Sequence, residues 1–512
     1  MQMKISVLLA VVTLLSLATP GSPAPVASKI LRVATATEPI DLDPQDFSES
    51  TAQSIISLVH NKLFVLDRQL NPVPELAESY KSSPDRLTWT FKLKRGIKFH
   101  DGTPLTAQAV KAIVDKTVGD KPPIRASFVG RPDLESARLV DDYTVEIKTK
   151  NPLGAFQRML AGPAWAINSP AAYERYKERA TKNPVGTGPY RFVQWSPGEL
   201  IELEKNPDYW GPPVHYDRIV FQFVREPATR VALLTTGQVD LITNVPPTDM
   251  PRLSRMANLT VSTIDLNRNI FIAINAQRPY LSDKRVRQAM NLAVDKQAII
   301  KGVLQGLGIE ATSPIPRLTW GHAGVGQYAY DVAKARQMLA EAGVPRGHRV
   351  KFWVPQGRYF QDKAIGEAVN NYLKELGLDM DFQVMEYGTY IASIRKVRAE
   401  AQHDLYLLGW AATNLDADLA LTSVFHSSEW PLRGSNRGFY ANPRVDQLID
   451  QGRRTVNPEL RRRVYAEAQR LIWEDAPWIF LHEMKDVVAY RRQIAGVFVW
   501  PHETLDLTQA RE

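Results

Sequence analysis

The chain has 512 residues, more than one hydrophobic core normally supports, so we expect at least two lobes with a cleft between them. Its composition, with 44% hydrophobic and 23% charged residues, argues against extensive disorder. A formal net charge of +8 is small for this length and does not imply binding to nucleic acid, and the absence of cysteine excludes disulfides.

The first 27 residues have the pattern of a secretion signal. Lys4 supplies a positive start, the run Ile5–Ala18 is apolar, and small or turn residues follow as far as Ala27. The alternative, an uncleaved membrane anchor, needs ~20 apolar residues, whereas this run has 14. Because the chain has no cysteine, it cannot be a lipoprotein, and we expect a soluble periplasmic protein after removal of residues 1–27.

Strand and helix patterns then alternate, which predicts an α/β fold. Alternating apolar residues in 87–93, the turn at 95–96 and continued alternation in 97–99 predict an antiparallel strand pair. Thr106 is placed to cap the helix that follows. We take residues 45–175, approximately, as an inserted subdomain.

Several later helices have recognisable start or end signals in the sequence. The segment 228–236 is predicted to be a helix that Gly237 ends. Asp331 and Asn457 each stand where an N-cap is expected, and the second of these helices has an apolar stripe that includes Leu460. Helices of this kind usually form the core and carry no chemistry.

Motifs for catalysis or cofactor binding are unconvincing. The segments 306–311 (GLGIEA) and 324–329 (GVGQYA) fit the glycine spacing of a dinucleotide site, yet no predicted strand precedes either one. The segment 482–486 (HEMKD) lacks the second histidine of a zinc protease helix, and no nucleophile elbow is present. We therefore expect neither an enzyme, nor a cofactor, nor a metal site.

The loop 409–418 (GWAATNLDAD) directly follows the apolar run 405–408. A polar loop at the end of a buried strand is where α/β proteins commonly place ligand contacts. Its side chains Trp410, Asp416 and Asp418 are accordingly candidate ligand contacts.

Six motifs resemble those of the family 5 extracytoplasmic solute-binding proteins, which serve peptide, glutathione and nickel ABC importers. In chain order they are 74–80 (PELAESY), 87–104 (LTWTFKLKRGIKFHDGTP), 184–190 (PVGTGPY), 206–210 (NPDYW), 283–289 (DKRVRQA) and 474–478 (EDAPW). The resemblance covers essentially the whole mature chain in order and spacing.

The resemblance implies a two-lobed, hinged periplasmic binding protein fold of type II with an extra subdomain in lobe one. Lobe one would comprise residues 28–268, lobe two 269–482, and residues 483–512 would return to lobe one. A chain that leaves a lobe and comes back creates at least two crossing segments, which permit closure without unfolding either core.

The family resemblance also implies a ligand site. In peptide-binding relatives an Asp three residues after the Gly-Trp pair holds the ligand's amine, but Thr413 stands here, so the charge is missing or comes from Asp416 or Asp418. Together with 425–431 (FHSSEWP) and 439–440 (FY), this departure resembles the glutathione-binding branch. Asn414 of the same loop joins the predicted ligand set.

Arg358 completes the predicted ligand set, and Trp410 of the loop has a specific expected role. Arg358, within 354–359 (VPQGRY), resembles the position where some dipeptide binders pair an Arg with the ligand's carboxylate, although a solvated turn Arg is the alternative. Trp410 is predicted to wall the cleft, with a place in the core as the equal alternative.

The expected function is that of the periplasmic component of an ABC transporter, which captures peptides or glutathione and delivers them to the permease. The permease works with cytoplasmic ATPase subunits, and the binding protein is expected to be a monomer that binds no nucleic acid. A carrier of nickel chelates or haem with the same fold is the alternative.

Overall fold

The computed structural model describes residues 28–46, 50–119 and 133–512, and only the backbone of Glu178. The predicted secretion signal, residues 1–27, lies outside the described residues. Among the helices that are described, none combines the length and apolarity needed to cross a membrane. Strands and helices alternate along the chain, as an α/β fold requires.

The strands are β1 (Ile30–Thr35), β2 (Phe64–Leu66), β3 (Pro72–Pro74), β4 (Ala77–Ser82), β5 (Thr88–Leu93), β6 (Leu134–Asp141), β7 (Thr144–Thr149), β8 (Tyr190–Ser196), β9 (Leu200–Lys205), β10 (Arg218–Phe223), β11 (Leu241–Ile242), β12 (Leu259–Ile274), β13 (Gly308–Glu310), β14 (Arg349–Gln356), β15 (Asp379–Glu386), β16 (Leu405–Trp410), β17 (Trp478–Arg491), β18 (Phe498–Val499) and β19 (Leu505–Asp506).

The α-helices are α1 (Ser50–Val59), α2 (Ala107–Val118), α3 (Phe156–Leu160), α4 (Pro170–Tyr176), α5 (Pro227–Thr236), α6 (Met250–Ser254), α7 (Lys284–Ala293), α8 (Lys296–Ala298), α9 (Val332–Glu341), α10 (Asp362–Glu375), α11 (Tyr387–Ile394), α12 (Ala417–Phe425), α13 (Pro443–Arg454) and α14 (Pro458–Asp475). Short 3-10 turns occupy Pro163–Trp165, Lys177–Lys182 and Ser427–Glu429, and a π-turn occupies Ile299–Val303.

One mixed sheet organises most of the chain, in the order β15-β14-β16-β12-β17-β11-β1-β10-β9-β8, with β13 beside β17. We call the part built on β11, β1, β10, β9 and β8 the first lobe, and the part built on β15, β14 and β16 the second lobe. Side chains of the second lobe alternate between two apolar clusters, with Ile272 and Leu407 in one and Phe271 and Leu408 in the other. This alternation buries both faces of the sheet.

Strands β12 and β17 run through both lobes. Strand β17 pairs with β11 of the first lobe, and β12 pairs with β16 of the second lobe, while the two strands also pair with each other. Their register shifts between Asp265 and Asn269, and again between Ile270 and Phe271. Such irregularities bend a strand locally. The predicted boundary between residues 268 and 269 falls in this irregular stretch, and the lobe limits stay a prediction.

A separate four-stranded sheet, in the order β4-β5-β7-β6, packs with α2 and α3 around its own apolar cluster. Leu415, which follows β16, is fully buried in that cluster. The amide of Gly154 also donates to the carbonyl of Arg453, at 3.0 Å, and a Cβ at residue 154 would stand 2.2 Å from the carbonyl oxygen of Thr455. The region predicted as the inserted subdomain therefore contacts the second lobe closely.

The predicted strand pair within 87–99 is wrong. Strand β5 forms, but its neighbours are β4 and β7. The segment 97–99 instead folds back on the residues after it, because the amide of Phe99 bonds to Thr103 and that of Leu105 bonds to Ile97. Thr106 does occupy the N-cap of α2, yet its side chain makes no capping hydrogen bond.

The later helix ends are as predicted. Gly237 adopts a left-handed conformation, with φ of 83°, and ends α5. The side chains of Asp331 and Asn457 accept capping hydrogen bonds at the starts of α9 and α14. Leu460 was expected on the buried face of α14 but is 48% exposed, because the first turn of this helix faces solvent there.

Candidate functional site

A cleft lies where β12 and β17 pass between the two lobes. Its larger cavity has a volume of about 680 Å³ and is walled by first-lobe loops around Thr35–Thr37 and Thr243–Thr248 and by the second-lobe segment Gln356–Lys363. A smaller cavity of about 170 Å³ adjoins it. The two share Arg268, Arg358 and Glu503 in their walls, so they form one continuous cleft.

Three of the predicted ligand residues line the smaller cavity: Arg358, Trp410 and Thr413. They reach it from two neighbouring strand ends, since β14 is parallel to β16 and both strands end toward the cleft. Converging strand ends of this kind are where α/β proteins bind ligands. Gly409 lets the ring of Tyr359 lie close to the end of β16, because a Cβ at residue 409 would stand 2.8 Å from that ring.

The loop that carries Arg358 is fixed by one carboxylate. Asp362 accepts hydrogen bonds from the backbone amides of Gly357, Arg358 and Tyr359, at 3.3, 2.9 and 3.0 Å. The Arg358 guanidinium lies 5.1 Å from the ring centre of Tyr359 and 5.8 Å from that of Tyr387, to which it is also hydrogen-bonded. These contacts hold the side chain in the cleft wall and leave it without an ion pair among the described residues.

Asp416 has a different environment. Its side chain is fully buried and accepts two hydrogen bonds from Arg461, at 3.0 and 2.5 Å. It also caps α12 by accepting from the amide of Asp418, and Arg158 lies 3.8 Å away. Asn414 is 5% exposed and uses its side-chain oxygen to accept from the amide of Asp416.

Asp418 is also paired with an arginine. It bonds to Arg453 at 3.1 Å, and Arg453 in turn lies 3.8 Å from Asp133 beside the four-stranded sheet. Neither Asp416 nor Asp418 lines the cavities described above, and both carboxylates already face a guanidinium. The expectation that one of them is free to take the ligand's amine therefore disagrees with this geometry, and direct ligand contact by Asp416, Asp418 or Asn414 stays a prediction.

Charged residues that the sequence reading missed line the same cleft. Arg395 and Arg437 line the smaller cavity, and Glu503 there forms an ion pair with Arg268. None of these residues belongs to a motif with recognisable spacing. Arg437 stands two residues before the Phe439-Tyr440 pair, which the family resemblance had singled out, and this is the one local signal.

Asp486 supplies a carboxylate to the larger cavity. Its side chain accepts from the amide of Val487 at 2.7 Å and from Asn244 at 3.4 Å, and no described cationic group forms an ion pair with it. Burial raises the pKa of Asp486 to about 7. A carboxylate held in this way gains from an approaching ammonium group.

The cleft offers little to a metal. Within the described residues there is no group of three or more His, Cys, Asp or Glu side chains placed to hold an ion. His502, in the wall of the smaller cavity, is neutral at pH 7 because burial lowers its pKa to about 3. The polar groups available to a ligand are therefore mainly guanidinium and carboxylate groups, which suit the charged ends of organic molecules.

Known proteins resemble this chain over nearly its full length. The glutathione-binding protein GsiB of Pectobacterium atrosepticum is 33% identical over 491 residues, which cover 94% of this chain and 95% of GsiB. Bacillus subtilis AppA, an oligopeptide-binding protein solved with a nonapeptide, is 26% identical with a TM-score of 0.79, covering 92% of this chain and 96% of AppA.

A second solved structure shows the same fold. It is the periplasmic binding protein DppA of Helicobacter pylori, associated with an ABC transporter and bound to the peptide STSA. The TM-score is 0.82 at 24% identity, with 91% of this chain and 95% of that chain covered. The two-lobed fold of periplasmic binding proteins is therefore shared.

The family model for bacterial extracellular solute-binding proteins, family 5, matches residues 71–431. This span includes the crossing strand β12 and the cleft residues Arg358, Trp410 and Thr413. The matched span exceeds half of the chain, and the match to GsiB covers 94% of the chain. The chain belongs to the family 5 bacterial extracellular solute-binding proteins.

Proposed function

We propose that this protein is the periplasmic solute-binding component of an ABC importer and captures peptides, either di- and oligopeptides or glutathione, in the cleft between its lobes. The observation that carries the proposal is the continuous interlobe cleft, whose walls offer Arg358 for a carboxylate and Asp486 for an amine. A peptide has both groups at a separation that an elongated cleft accommodates.

The binding mode follows from these walls. The ligand's carboxylate pairs with Arg358, whose planar guanidinium suits a bidentate bond. Its ammonium pairs with Asp486, which replaces the aspartate expected at Thr413, while Asp416 and Asp418 stay with their arginines. Trp410 and Thr413 form part of the cavity wall near the ends of strands β14 and β16.

Closure and delivery complete the proposed cycle. Strands β12 and β17 are the two segments that cross between the lobes, and their irregular register gives a place to bend. A micromolar ligand supplies about 8 kcal/mol of binding free energy, part of which stabilises the closed form that the permease recognises. We propose that residues 1–27 direct export, that the mature protein acts as a monomer, and that membrane permease and cytoplasmic ATPase subunits are its partners.

The relatives support the peptide class over the nickel-chelate alternative, because GsiB is named for glutathione and AppA was solved with a nonapeptide. Isothermal titration calorimetry on residues 28–512 tests this directly, with reduced glutathione, a neutral dipeptide, a tetrapeptide and nickel–histidine in separate titrations. We expect saturable heat with at least one peptide or with glutathione. Heat with nickel–histidine alone would overturn the proposal.

Incubation of the same protein with each peptide also checks that it does not act as an enzyme. We expect the peptides to be recovered intact, as judged by mass spectrometry. Cleavage that persists after repeated purification would contradict a role in binding alone.

A further inference from the structure

The smaller cavity carries an excess of positive charge. Four arginines line it, Arg268, Arg358, Arg395 and Arg437, against the single carboxylate of Glu503. Glu503 is bonded to Arg268, which leaves three guanidinium groups in excess. In the described part of the chain, no acidic side chain forms an ion pair with any of these three.

Arg437 shows the imbalance most clearly. Its side chain is 5% exposed, and its Nε is buried without a hydrogen-bond partner. Burial lowers the pKa of Arg437, and the same-sign charge of Arg395 lowers it further, while the tyrosines Tyr387, Tyr390 and Tyr406 surround it instead of an acid. A buried charge without a counter-ion destabilises a fold.

Two other buried arginines, Arg461 and Arg230, are satisfied within the protein. Arg461, 2% exposed, has the carboxylate of Asp416. Arg230, also 2% exposed, donates to four backbone carbonyl groups. Arg437 differs from both: it lines the smaller cavity, and no acidic side chain among the described residues forms an ion pair with it, whereas Arg230, in the wall of the larger cavity, is bonded to backbone carbonyl groups.

The backbone around Arg437 is held on both sides. Its carbonyl oxygen lies 3.1 Å from Nε2 of His403. The next residue, Gly438, passes so close to β12 that a Cβ would stand 2.7 Å from the carbonyl oxygen of Ile274. The guanidinium is therefore presented to the cavity by a fixed main chain.

We propose, on the basis of the peptide-binding function above, that the natural ligand carries two carboxylates and that Arg395 and Arg437 receive the second one. Arg358 takes the first carboxylate, and the ligand supplies the counter-charge that the fold leaves out. An ordinary neutral dipeptide has one carboxylate, whereas a γ-glutamyl tripeptide or an acidic peptide has two. The cleft therefore selects the dicarboxylate class.

Matched ligands test the proposal by calorimetry. Reduced glutathione is compared with two analogues that each lack one carboxylate, its glycine amide and 4-aminobutyryl-cysteinyl-glycine. We expect both analogues to bind about 10- to 100-fold more weakly than glutathione, the loss that goes with one charge-assisted contact. An affinity for either analogue equal to that for glutathione would overturn the proposal.

Variants assign the effect to the two arginines. Arg395→Gln and Arg437→Gln should each reduce the difference between glutathione and one analogue, the same analogue in both variants, to a few-fold. The control Arg398→Gln, whose side chain contacts Gln277 and Trp430, should keep the difference. If both analogues keep their full differences from glutathione in both test variants, the assignment is overturned. If Arg437→Gln fails to fold, Arg395→Gln decides, since residue 395 is exposed.

A second readout separates ligand binding from a structural role. Without ligand, Arg437→Gln should have a higher melting temperature than the native protein, because it removes an unpaired buried charge. The rise in melting temperature on adding glutathione should become smaller in the variant. An undiminished rise in melting temperature on adding glutathione to folded Arg437→Gln would contradict the proposal.

The outcomes also distinguish this inference from the proposed function. If the protein binds a neutral dipeptide as tightly as glutathione, the dicarboxylate inference fails while the peptide-binding function stands. If it binds no peptide and no glutathione, the proposed function fails.

Discussion

Arg461 of helix α14 donates two hydrogen bonds to the carboxylate of Asp416, and both side chains are almost completely buried. Asp416 at the same time caps helix α12. The pair therefore holds the loop after β16 in place, and the loop in turn positions Trp410 and Thr413 at the cleft. Asp416, which the sequence reading assigns to the ligand, thus has a structural task in this loop.

The first prediction concerns this pair. Asp416→Asn should lower the free energy of unfolding by about 3–5 kcal/mol, because it leaves the Arg461 charge buried and uncompensated. Chemical denaturation measures the loss, and Asp450, whose side chain is 45% exposed, offers the control Asp450→Asn, which should change stability little. Folded Asp416→Asn should keep its ligand affinity within a few-fold. A variant of native stability that has lost binding would instead make Asp416 the amine contact.

The second prediction concerns Arg358. Arg358→Gln should weaken peptide or glutathione binding by about 1.5–3 kcal/mol, the value of a hydrogen bond to a charged group. Arg349→Gln is a matched control, because Arg349 lies at the other end of strand β14 and is exposed beside Asp381. Calorimetry on both variants measures the effect. Equal affinities would remove Arg358 from the site and favour the alternative that it is a turn residue.

The third prediction concerns pH and Asp486. Its pKa is raised to about 7, so the folded protein keeps a proton that the unfolded chain releases above its ordinary value of 3.8. The contribution of this group to the free energy of unfolding therefore decreases as pH rises from about 4 to 7. Asp486→Asn should have a higher melting temperature than the native protein at pH 8, and a smaller advantage at pH 4.

The same residue links pH to binding. An ammonium group needs ionised Asp486, so native affinity should be about 10-fold or more higher at pH 7.5 than at pH 5.5. Asp486→Asn should lose most of this dependence and bind weakly throughout. Glu483, whose pKa burial also raises to about 7, remains in the variant and accounts for any residual slope. Unchanged pH dependence in Asp486→Asn would show that the amine binds elsewhere.

The fourth prediction concerns Thr413. Thr413→Asp places a carboxylate in the wall of the cavity that holds Arg395 and Arg437. It should reduce glutathione affinity by competing with the ligand's carboxylate and shift preference toward neutral peptides. Competition titrations with glutathione and a neutral dipeptide measure this shift, with Thr413→Val as the control for shape. No shift would show that the Thr413 side chain faces away from the ligand.

Local chemistry made part of the fold predictable from sequence. Glycine tolerates the left-handed conformation that ends α5 at Gly237, and Asp331 and Asn457 reach backbone amides within their own first turns. Strand pairing was harder to predict from the sequence. One partner of β5 is β7, more than 50 residues later, and the alternation in 97–99 looked equally suitable as a partner.

The sequence by itself determined the α/β class, the family, the end of α5 and the starts of α9 and α14, because each depends on short-range geometry or on ordered motifs. Only the tertiary structure decided which charged side chains form ion pairs within the protein and which do not. Asp416 meets Arg461, 45 residues away, whereas Arg437 meets no acid among the described residues. Ion pairing depends on distance through space, and the separation along the chain carries almost no information about that distance.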